Sequence, residues 1–413
     1  MLLPTTKAQV SGHKFLIRRA EHGLVLGDIR MIHDPLASRE RAIIFGVLAV
    51  VLAAIGTGLL AWLSPDPKPG DAPLVRSAQG QLYVLIDSVY HPVPNLASAR
   101  LILGEPVETA SIGDSALSQS RVGIPLGITQ APGHFARADR EYNFAACVAP
   151  DEGELPAFLT QTGIEPRNTL AVVADFQPVG WSAQSAALVT AEGKDWVLTT
   201  QGRALLADDP VIHRALRITE ETPRWEVPIA FLNAVPELPA YSIPQSLPDV
   251  VEHGGQLWTG DGRTLTHTQA EILRSAGARL VQRAPEIAGA EFSELPKTTP
   301  TWFGPEDGWL CSTGESVGAS TSPAGLVELP VGGSAHLGAG LGGGAVAVDT
   351  GQDVVVVDAT GVRYGVARNE VEILGAHITS GEWSVLRLLP PGPDLNRESA
   401  LTSAAMVSSA SQP

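Results

Sequence analysis

The feature that most constrains this chain is an apolar run near its N-terminus, residues 42–63, AIIFGVLAVVLAAIGTGLLAWL. Its 22 residues carry no charge, and at about 1.5 Å per residue a helix of this length matches a hydrocarbon core of roughly 30 Å. A cleaved signal peptide is the alternative. It is disfavoured because 41 residues precede the run and the following LSPDPKPG has no small-residue cleavage pattern. The run predicts one transmembrane helix.

Charge predicts the orientation of this helix. Residues 1–41 hold seven basic and four acidic side chains, a net charge of +3, whereas the whole chain of 413 residues has a net charge of −16. Positively charged flanks stay in the cytoplasm, so we expect a single-pass protein of the inner (cell) membrane with its N-terminus inside, 64–72 as a linker and a large acidic region outside. The excess of acidic residues also argues against nucleic acid as a partner, because the phosphate backbone binds to basic surfaces.

Small residues recur on one side of the predicted membrane helix. Gly46, Ala49, Ala53 and Gly56 follow one another at spacings of three or four residues, which places them on one face. Faces of this kind let a second helix approach closely, so the pattern predicts a packing face. The alternative interpretation is that glycine and alanine are simply common in membrane helices.

The cytoplasmic segment has the pattern of a short basic amphipathic helix. Val10, Ile17 and Leu24 are seven residues apart, the basic side chains lie elsewhere, and Gly27 provides a stop. Such a helix can lie on anionic lipid or dock in a partner's groove. The alternative is a solvated segment that only sets the topology. The residues predicted to contact partners are Lys14, Phe15, Arg18 and Arg19.

Two cysteines, Cys147 and Cys311, are the only ones in the chain. Their separation excludes a zinc knuckle, an iron–sulfur run and a C-x-x-C redox motif. Because an extracytoplasmic compartment is oxidising, we predict a Cys147–Cys311 disulfide. The alternative is two buried free thiols.

Four segments outside the membrane share one pattern: an apolar strand, a turn, a second short strand and a capped helix. In the first, HPVPNLASARLILG at 91–104, Asn95 is the expected N-cap and Gly104 follows the helix. We therefore interpret this stretch as scaffold and not as a pocket. The four segments are 80–104, 194–218, 254–277 and 352–375.

The predicted fold class is a single-pass membrane protein with an α+β, β-rich extracytoplasmic region at 73–393. In it, four small β-turn-β-helix repeats surround a central β domain, because strand-length apolar runs such as TLAVVAD and SAALVTA lie between the repeats. One repeat alone has too little apolar surface to offset the entropy of ordering it, so we expect the repeats to pack together. Residues 394–413 are predicted to be a disordered tail.

Motifs that carry chemistry are weak or missing. The sequence contains no G-x-x-x-x-G-K-[ST] phosphate loop and no H-E-x-x-H. Gly338, Gly340 and Gly343 match G-x-G-x-x-G, and Ser316 lies in a G-x-S-x-G match, but neither is followed by the helix that its chemistry requires. Acidic DEGE at 151–154 is interpreted as solvated surface. We predict no catalytic, metal or cofactor site.

The chain resembles a known family. The resemblance rests on TTKAQVSGHKFLIRRAEHGLVLGDIRMIHDPL, the single membrane helix, NLASARLILG and LLPPGPDLNRESA, and it is with EccB, a membrane component of the ESX (type VII) secretion systems of actinobacteria. It implies a structural core subunit that works with EccC, EccD and EccE and with other EccB copies, and that helps to export small WXG, PE and PPE proteins. The cysteines lie where this family has its extracytoplasmic pair.

Two other functions remain open at this stage. The family carries an ATPase label, so an extracytoplasmic nucleotide hydrolase with ATP as ligand is one alternative, although no phosphate loop supports it. A cell-envelope binding module is the other, because four repeats could present several weak sites at once.

Overall fold

The structure is a computed structural model that describes residues 6–27, 35–63, 70, 72–137, 141–150, 169–177, 179, 181–284 and 289–402. The chain divides into two compact units, residues 1–67 and 68–413. Each is described by itself. The predicted acidic segment at 151–154 and most of the predicted linker lie outside the described residues.

The first unit consists of two helices, α1 Lys7–Leu26 and α2 Pro35–Leu63. Thr6 starts α1 with a capping box, and Gly27 ends it in the left-handed conformation that glycine adopts without strain. The candidate membrane span in α2 is Ala42–Leu60, and none of it is buried. The helix itself starts at Pro35, before the predicted 42, since proline is favoured in the first turn and LASRER continues without a breaker.

The first small sheet has the order β4-β1-β2-β3-β5. Asn95 caps α3 through an Oδ1 that accepts from the Ser98 amide at 2.9 Å, and Gly104 ends it, as predicted. Its elements are β1 Leu74–Ser77, β2 Leu82–Ile86, β3 Val89–Val93, α3 Leu96–Leu103, β4 Ala110–Ile112, α4 Asp114–Ser118 and β5 Arg121–Val122.

The second small sheet has the order β10-β9-β8-β11 and follows two strands of a larger sheet, β6 Ala145–Val148 and β7 Leu170–Val173. Asp209 caps its helix and Pro210 occupies the first helical position. Its elements are β8 Ser185–Ala191, β9 Lys194–Thr199, β10 Gly202–Leu205, α5 Pro210–Ala215 and β11 Arg224–Glu226, followed by α6 Ile229–Leu232.

The third small sheet has the order β14-β13-β12-β15. Thr266 starts the helix with a capping box. The elements are β12 Val250–His253, β13 Gln256–Thr259, β14 Thr264–Leu265, α7 His267–Ser275 and β15 Leu280–Gln282.

A six-stranded sheet with the order β18-β17-β6-β7-β20-β19 lies between the small sheets. The strand β16, by contrast, pairs with β8 of the second small sheet. A one-turn 3-10 helix, Pro305–Asp307, precedes β17. The strands are β16 Thr301–Trp302, β17 Trp309–Ser312, β18 Val317–Ser320, β19 Val327–Glu328 and β20 Leu337–Ala339.

The fourth small sheet has the order β23-β22-β21-β24. Its elements, with the two helices that follow it, are β21 Val346–Asp349, β22 Val354–Val357, β23 Arg363–Val366, α8 Arg368–Leu374, β24 Ile378–Ser380, α9 Trp383–Leu386 and α10 Arg397–Leu401. The predicted domain end at 393 is too early. Leu395 and Ala400 are fully buried, and Asn396 caps α10. Of the predicted tail, 403–413 lie outside the described residues.

Each small sheet contains the chain order strand, strand, strand, helix, strand, and the strand after the helix runs parallel to the first strand. The parallel pairs are β4 with β1, β11 with β8, β15 with β12 and β24 with β21. The predicted repeat contained neither the first nor the parallel strand of these sheets. SAALVTA, which was predicted as a strand of the central β domain, is β8, the first strand of the second sheet.

A downstream segment with extended backbone also covers the outer edge of the third strand in each small sheet. In the fourth sheet, for example, the Arg363 amide donates to the Pro390 carbonyl at 2.9 Å and the Leu395 amide donates to the Gly365 carbonyl at 2.8 Å. We call these segments straps. They lie at 121–126, 236–241, 290–292 and 390–395.

Side chains on opposite faces of the same strand belong to different cores. Along β8, Ala186 and Leu188 pack with the third sheet, whereas Ala187 and Val189 pack with the six-stranded sheet. The fourth sheet divides in the same way between the first sheet and the six-stranded sheet. Helices meet within each pair, α3 with α8 and α5 with α7. The domain is thus a mixed α/β structure in which two pairs of small sheets pack on one larger sheet.

Candidate assembly surfaces

The arm helix α1 presents most of its described side chains to solvent. Lys14, Phe15, Arg18 and Arg19 are all exposed, and at about 100° per residue they share an arc of roughly 140°. Phe15 is 53% exposed, which is unusual for so large an apolar side chain unless another molecule covers it. The sequence therefore predicted a group of residues that the helix does bring together.

A second stripe on α1 is apolar. Val10, Ile17 and Leu24 share an arc of about 40° that lies beside the arc of the basic residues, and Leu24 is 87% exposed. His22, by contrast, is buried, which the sequence pattern did not indicate. Two exposed faces of different chemistry suit a helix that contacts lipid with one side and protein with the other.

The predicted packing face of α2 is open. An added Cβ at Gly46 or Gly56 would meet no atom within 4 Å, so backbone at these two positions is accessible to a second helix. The hydroxyl of Thr57 donates to the Ala53 carbonyl at 3.0 Å, which satisfies this polar group within the helix. Gly46, Ala49, Ala53 and Gly56 thus form a smooth surface with no polar side chain.

The predicted disulfide is confirmed. Cys147 in β6 and Cys311 in β17 lie directly opposite each other in an antiparallel pair, with their Cα atoms 4.0 Å apart. Both are fully buried, and Trp309 and Phe176 pack in the same cluster. Since the bond joins residues 164 apart in sequence, the closed loop contains the whole second and third small sheets.

The glycine and serine motifs carry no catalytic geometry. Ser316 lies in a turn, 3.1 Å from the Thr313 hydroxyl, and is followed by β18 instead of a helix. Gly338 lies within β20, and the next regular element after Gly343 is again a strand. Over the part of the chain that the structure describes, no group of three His, Cys, Asp or Glu side chains could hold a metal ion.

An ion pair shifts the pKa of one side chain of the domain, and burial shifts the pKa of another. The Arg368 guanidinium holds Asp349 through bonds of 2.6 and 2.9 Å, and together with the Gly351 amide it lowers the pKa of Asp349 to about 2. Burial lowers the pKa of His336, whose Nδ1 accepts from the Leu170 amide. Both side chains brace strands and neither lies in a catalytic arrangement.

Comparison with known proteins decides the family. The family model described as Type VII secretion system ESX-1, transport TM domain B, matches residues 2–261 and 315–409. The chain belongs to the EccB family. It is 31% identical to the ESX-1 secretion system ATPase EccB1 of Mycobacterium tuberculosis, over 96% of this chain and 94% of that protein. It is 27% identical to the ESX-3 secretion system ATPase EccB3 of the same organism, over 96% of this chain and 89% of that protein.

Solved structures share the fold of this EccB-family chain. An intact ESX-5 inner membrane complex contains a chain with a TM-score of 0.59 and 22% identity, matched over 98% of this chain and 96% of that one. A chain of an EccB3 dimer from the ESX-3 core complex has a TM-score of 0.62 and 23% identity. The match covers 80% of this chain and 100% of that one. The curated relatives are named as ATPases, whereas the present sequence contains no phosphate loop.

Proposed function

We propose that this chain is a single-pass structural subunit of an ESX (type VII) inner-membrane complex, with its arm in the cytoplasm and its α/β domain outside. The observation that carries the proposal is the combination of an apolar, uncovered span at Ala42–Leu60 with a disulfide-bonded domain in a member of the EccB family. It would then contribute to the export of WXG, PE and PPE-type proteins as a structural part of the complex and not by catalysing a reaction.

Two independent observations support this orientation. The arm has a net charge of +3, which retains a flank in the cytoplasm. Disulfides persist in oxidising compartments, and the Cys147–Cys311 bond lies in the domain on the other side of the span. Reversal of the topology would put the bond in a reducing compartment and the positive arm outside.

The arm and the membrane helix are the proposed contacts with other subunits. Lys14, Phe15, Arg18 and Arg19 would bind EccC-, EccD- or EccE-type partners and anionic lipid of the inner membrane. Gly46, Ala49, Ala53 and Gly56 would pack against a partner helix or another EccB copy. These assignments are supported by exposure of Phe15 and by the open backbone at Gly46 and Gly56.

We further propose that the four small sheets are copies of one repeat around the six-stranded sheet. The support is their common order of three strands, a helix and a parallel strand. The extracytoplasmic domain would then extend over about 73–402, with the repeats as the surfaces that contact partners.

The proposal is tested by purifying the tagged full-length chain from membranes in mild detergent and identifying the proteins that co-purify. We expect EccC- and EccD-type subunits in one large assembly. Replacing Lys14, Arg18 and Arg19 by glutamate and Phe15 by alanine should release the chain. His13→Ala lies on the other side of α1 and is the matched control. Full retention of the charge-reversed arm would refute the assigned contacts.

Recovery of the unaltered chain without any ESX subunit would refute the assembly role itself. Gly46→Leu with Gly56→Leu tests the membrane face in the same assay, with Val51→Leu as a control on the opposite side of α2. Retention of every partner by the double leucine variant would show that this face is not used.

A further inference from the structure

The edges of the four small sheets are protected unequally. A strap covers the third-strand edge in every sheet, as described above. The opposite edge is the parallel strand after the helix, and these strands differ in composition. β11 carries Arg224 and Glu226, and β15 is flanked by Arg279 and Arg283. Charges at an exposed edge discourage pairing with another chain.

The edge strand β24, Ile378–Ser380, lacks this protection. Its sequence, with one flanking residue on each side, is HITSG and carries no formal charge. Ile378 is 42% exposed. In β4, the corresponding uncharged strand of the first sheet, the isoleucine Ile112 is instead 2% exposed. Of the four equivalent strands, β24 therefore combines an uncharged edge with an exposed branched side chain.

The outer side of β24 has hydrogen-bonding groups to offer. The Ala347 amide donates to the His377 carbonyl at 3.0 Å, and the Gly381 amide donates to the Asp349 carbonyl at 3.2 Å. Since successive residues of a strand direct these groups to alternate sides, the N–H and C=O groups of Ile378 and Ser380 point away from β21. Among the described residues no strand pairs with this side.

A depression adjoins the C-terminal end of the same strand. It has a volume of about 380 Å³ and lies between Ser380–Glu382 and the six-stranded sheet. Aromatic rings line it, including Tyr142 and Phe144, whose ring centroids are 6.0 Å apart, and Phe176. A strand added to β24 would place alternate side chains toward this depression, the arrangement by which β-strand addition gains specificity.

The charged residues at the depression indicate which kind of peptide strand could bind at β24. Glu315 and Glu382 lie at the depression, and no lysine or arginine belongs to its described lining. We propose that the β24 edge binds an extended peptide strand of a protein partner, in which one lysine or arginine reaches Glu315 and Glu382 and the other side chains are uncharged. The inference rests on the described domain and does not depend on the assembly role proposed above.

The test uses the full-length chain in lipid nanodiscs and fluorescence polarisation with labelled, end-capped hexapeptides of alternating valine and threonine. One peptide carries a lysine near its middle, and a second carries glutamate at that position. Ser380→Pro removes the outward amide of β24, and proline is tolerated at an edge. Gln282→Pro makes the matched change at the third residue of β15. Glu315→Gln with Glu382→Gln removes the rim charges.

We expect saturable binding of the lysine peptide, roughly tenfold weaker binding to Ser380→Pro because a hydrogen bond is lost, and unchanged binding to Gln282→Pro. The double glutamine variant should bind more weakly and with less salt dependence, and the glutamate peptide should not bind. Circular dichroism and thermal unfolding check that each variant is folded.

Three results would overturn the proposal. They are no binding of the lysine peptide, equal loss in Ser380→Pro and Gln282→Pro, or equal binding of the lysine and glutamate peptides. Loss of self-association in Ser380→Pro without peptide binding would assign the edge to a second copy of this chain and would also overturn it.

Discussion

Removal of the Cys147–Cys311 bond should destabilise the domain by an amount that its loop length sets. For a loop of 164 residues, the chain-entropy model gives a loss of about 5 kcal/mol at 25 °C. Real losses are usually smaller, about 2–4 kcal/mol, because unfolded chains keep some structure. Alanine is the appropriate replacement, since both side chains are fully buried and serine would bury an unpaired hydroxyl.

This loss can be read as a shift of the unfolding temperature. Unfolding entropy is about 2.1 cal/mol/K per residue, so for a domain of this size each kcal/mol shifts the midpoint by roughly 1–2 °C. The Cys147→Ala and Cys311→Ala double variant should therefore unfold about 2–8 °C below the parent. The assay is differential scanning fluorimetry of the full chain in detergent, with intact disulfide verified by mass.

The reducing agent supplies the internal control. It should lower the midpoint of the parent once the buried bond is reached during unfolding, and it should leave the double variant unchanged. Equal midpoints for parent and double variant would refute the loop argument. So would an equal effect of the reducing agent on both proteins, since the bond would then not be the group responsible.

Three further predictions follow from single contacts. Asn95→Ala removes the cap of α3 and a donor to the Ile128 carbonyl, so it should cost about 1–3 kcal/mol in denaturant unfolding, whereas Asn95→Asp should restore the cap alone. His336 has a pKa lowered by burial, so stability should fall as pH drops below its unfolded value of about 6.5, and His336→Gln should flatten that fall. Asp349 contributes stability above pH 4 that should be lost as pH approaches about 2; Asp349→Asn should lack this change, with Asp353→Asn as its control.

Local signals in the sequence predicted the parts of the fold that depend on few neighbouring residues. Asn95 and Gly104 bound a helix because a side-chain acceptor and a left-handed glycine satisfy its ends wherever it packs. Gly27 stops α1 for the same reason, and the membrane helix follows from composition alone. The disulfide could be predicted because only one pairing of two cysteines exists.

Pairing between distant segments could not be predicted in this way. Strands such as Leu280–Gln282 are too short to show a period of two, and they form because α7 returns the chain beside β12. The helix α10 was missed because its segment is small and polar, although Asn396 is a cap signal. Of the candidate site, the sequence pointed to the arm and the membrane face, whereas the β24 edge depends on which strands other segments cover.

Two closures hold the α/β domain together, and they act at different places. Arg100 in the first sheet donates to the Leu374 carbonyl in the fourth, and the Gly127 amide donates to the Thr402 carbonyl, so the beginning and end of the domain contact each other. The Cys147–Cys311 bond closes the middle of the chain within the six-stranded sheet.

The first closure lies within the pair formed by the first and fourth sheets, whereas the loop closed by the disulfide contains the second and third sheets. Both pairs also share the six-stranded sheet, whose buried face contacts the second and fourth sheets. A strand added at β24 would bind at the junction of the fourth sheet with that central sheet. A partner strand bound there would therefore contact the fourth sheet and the central sheet together.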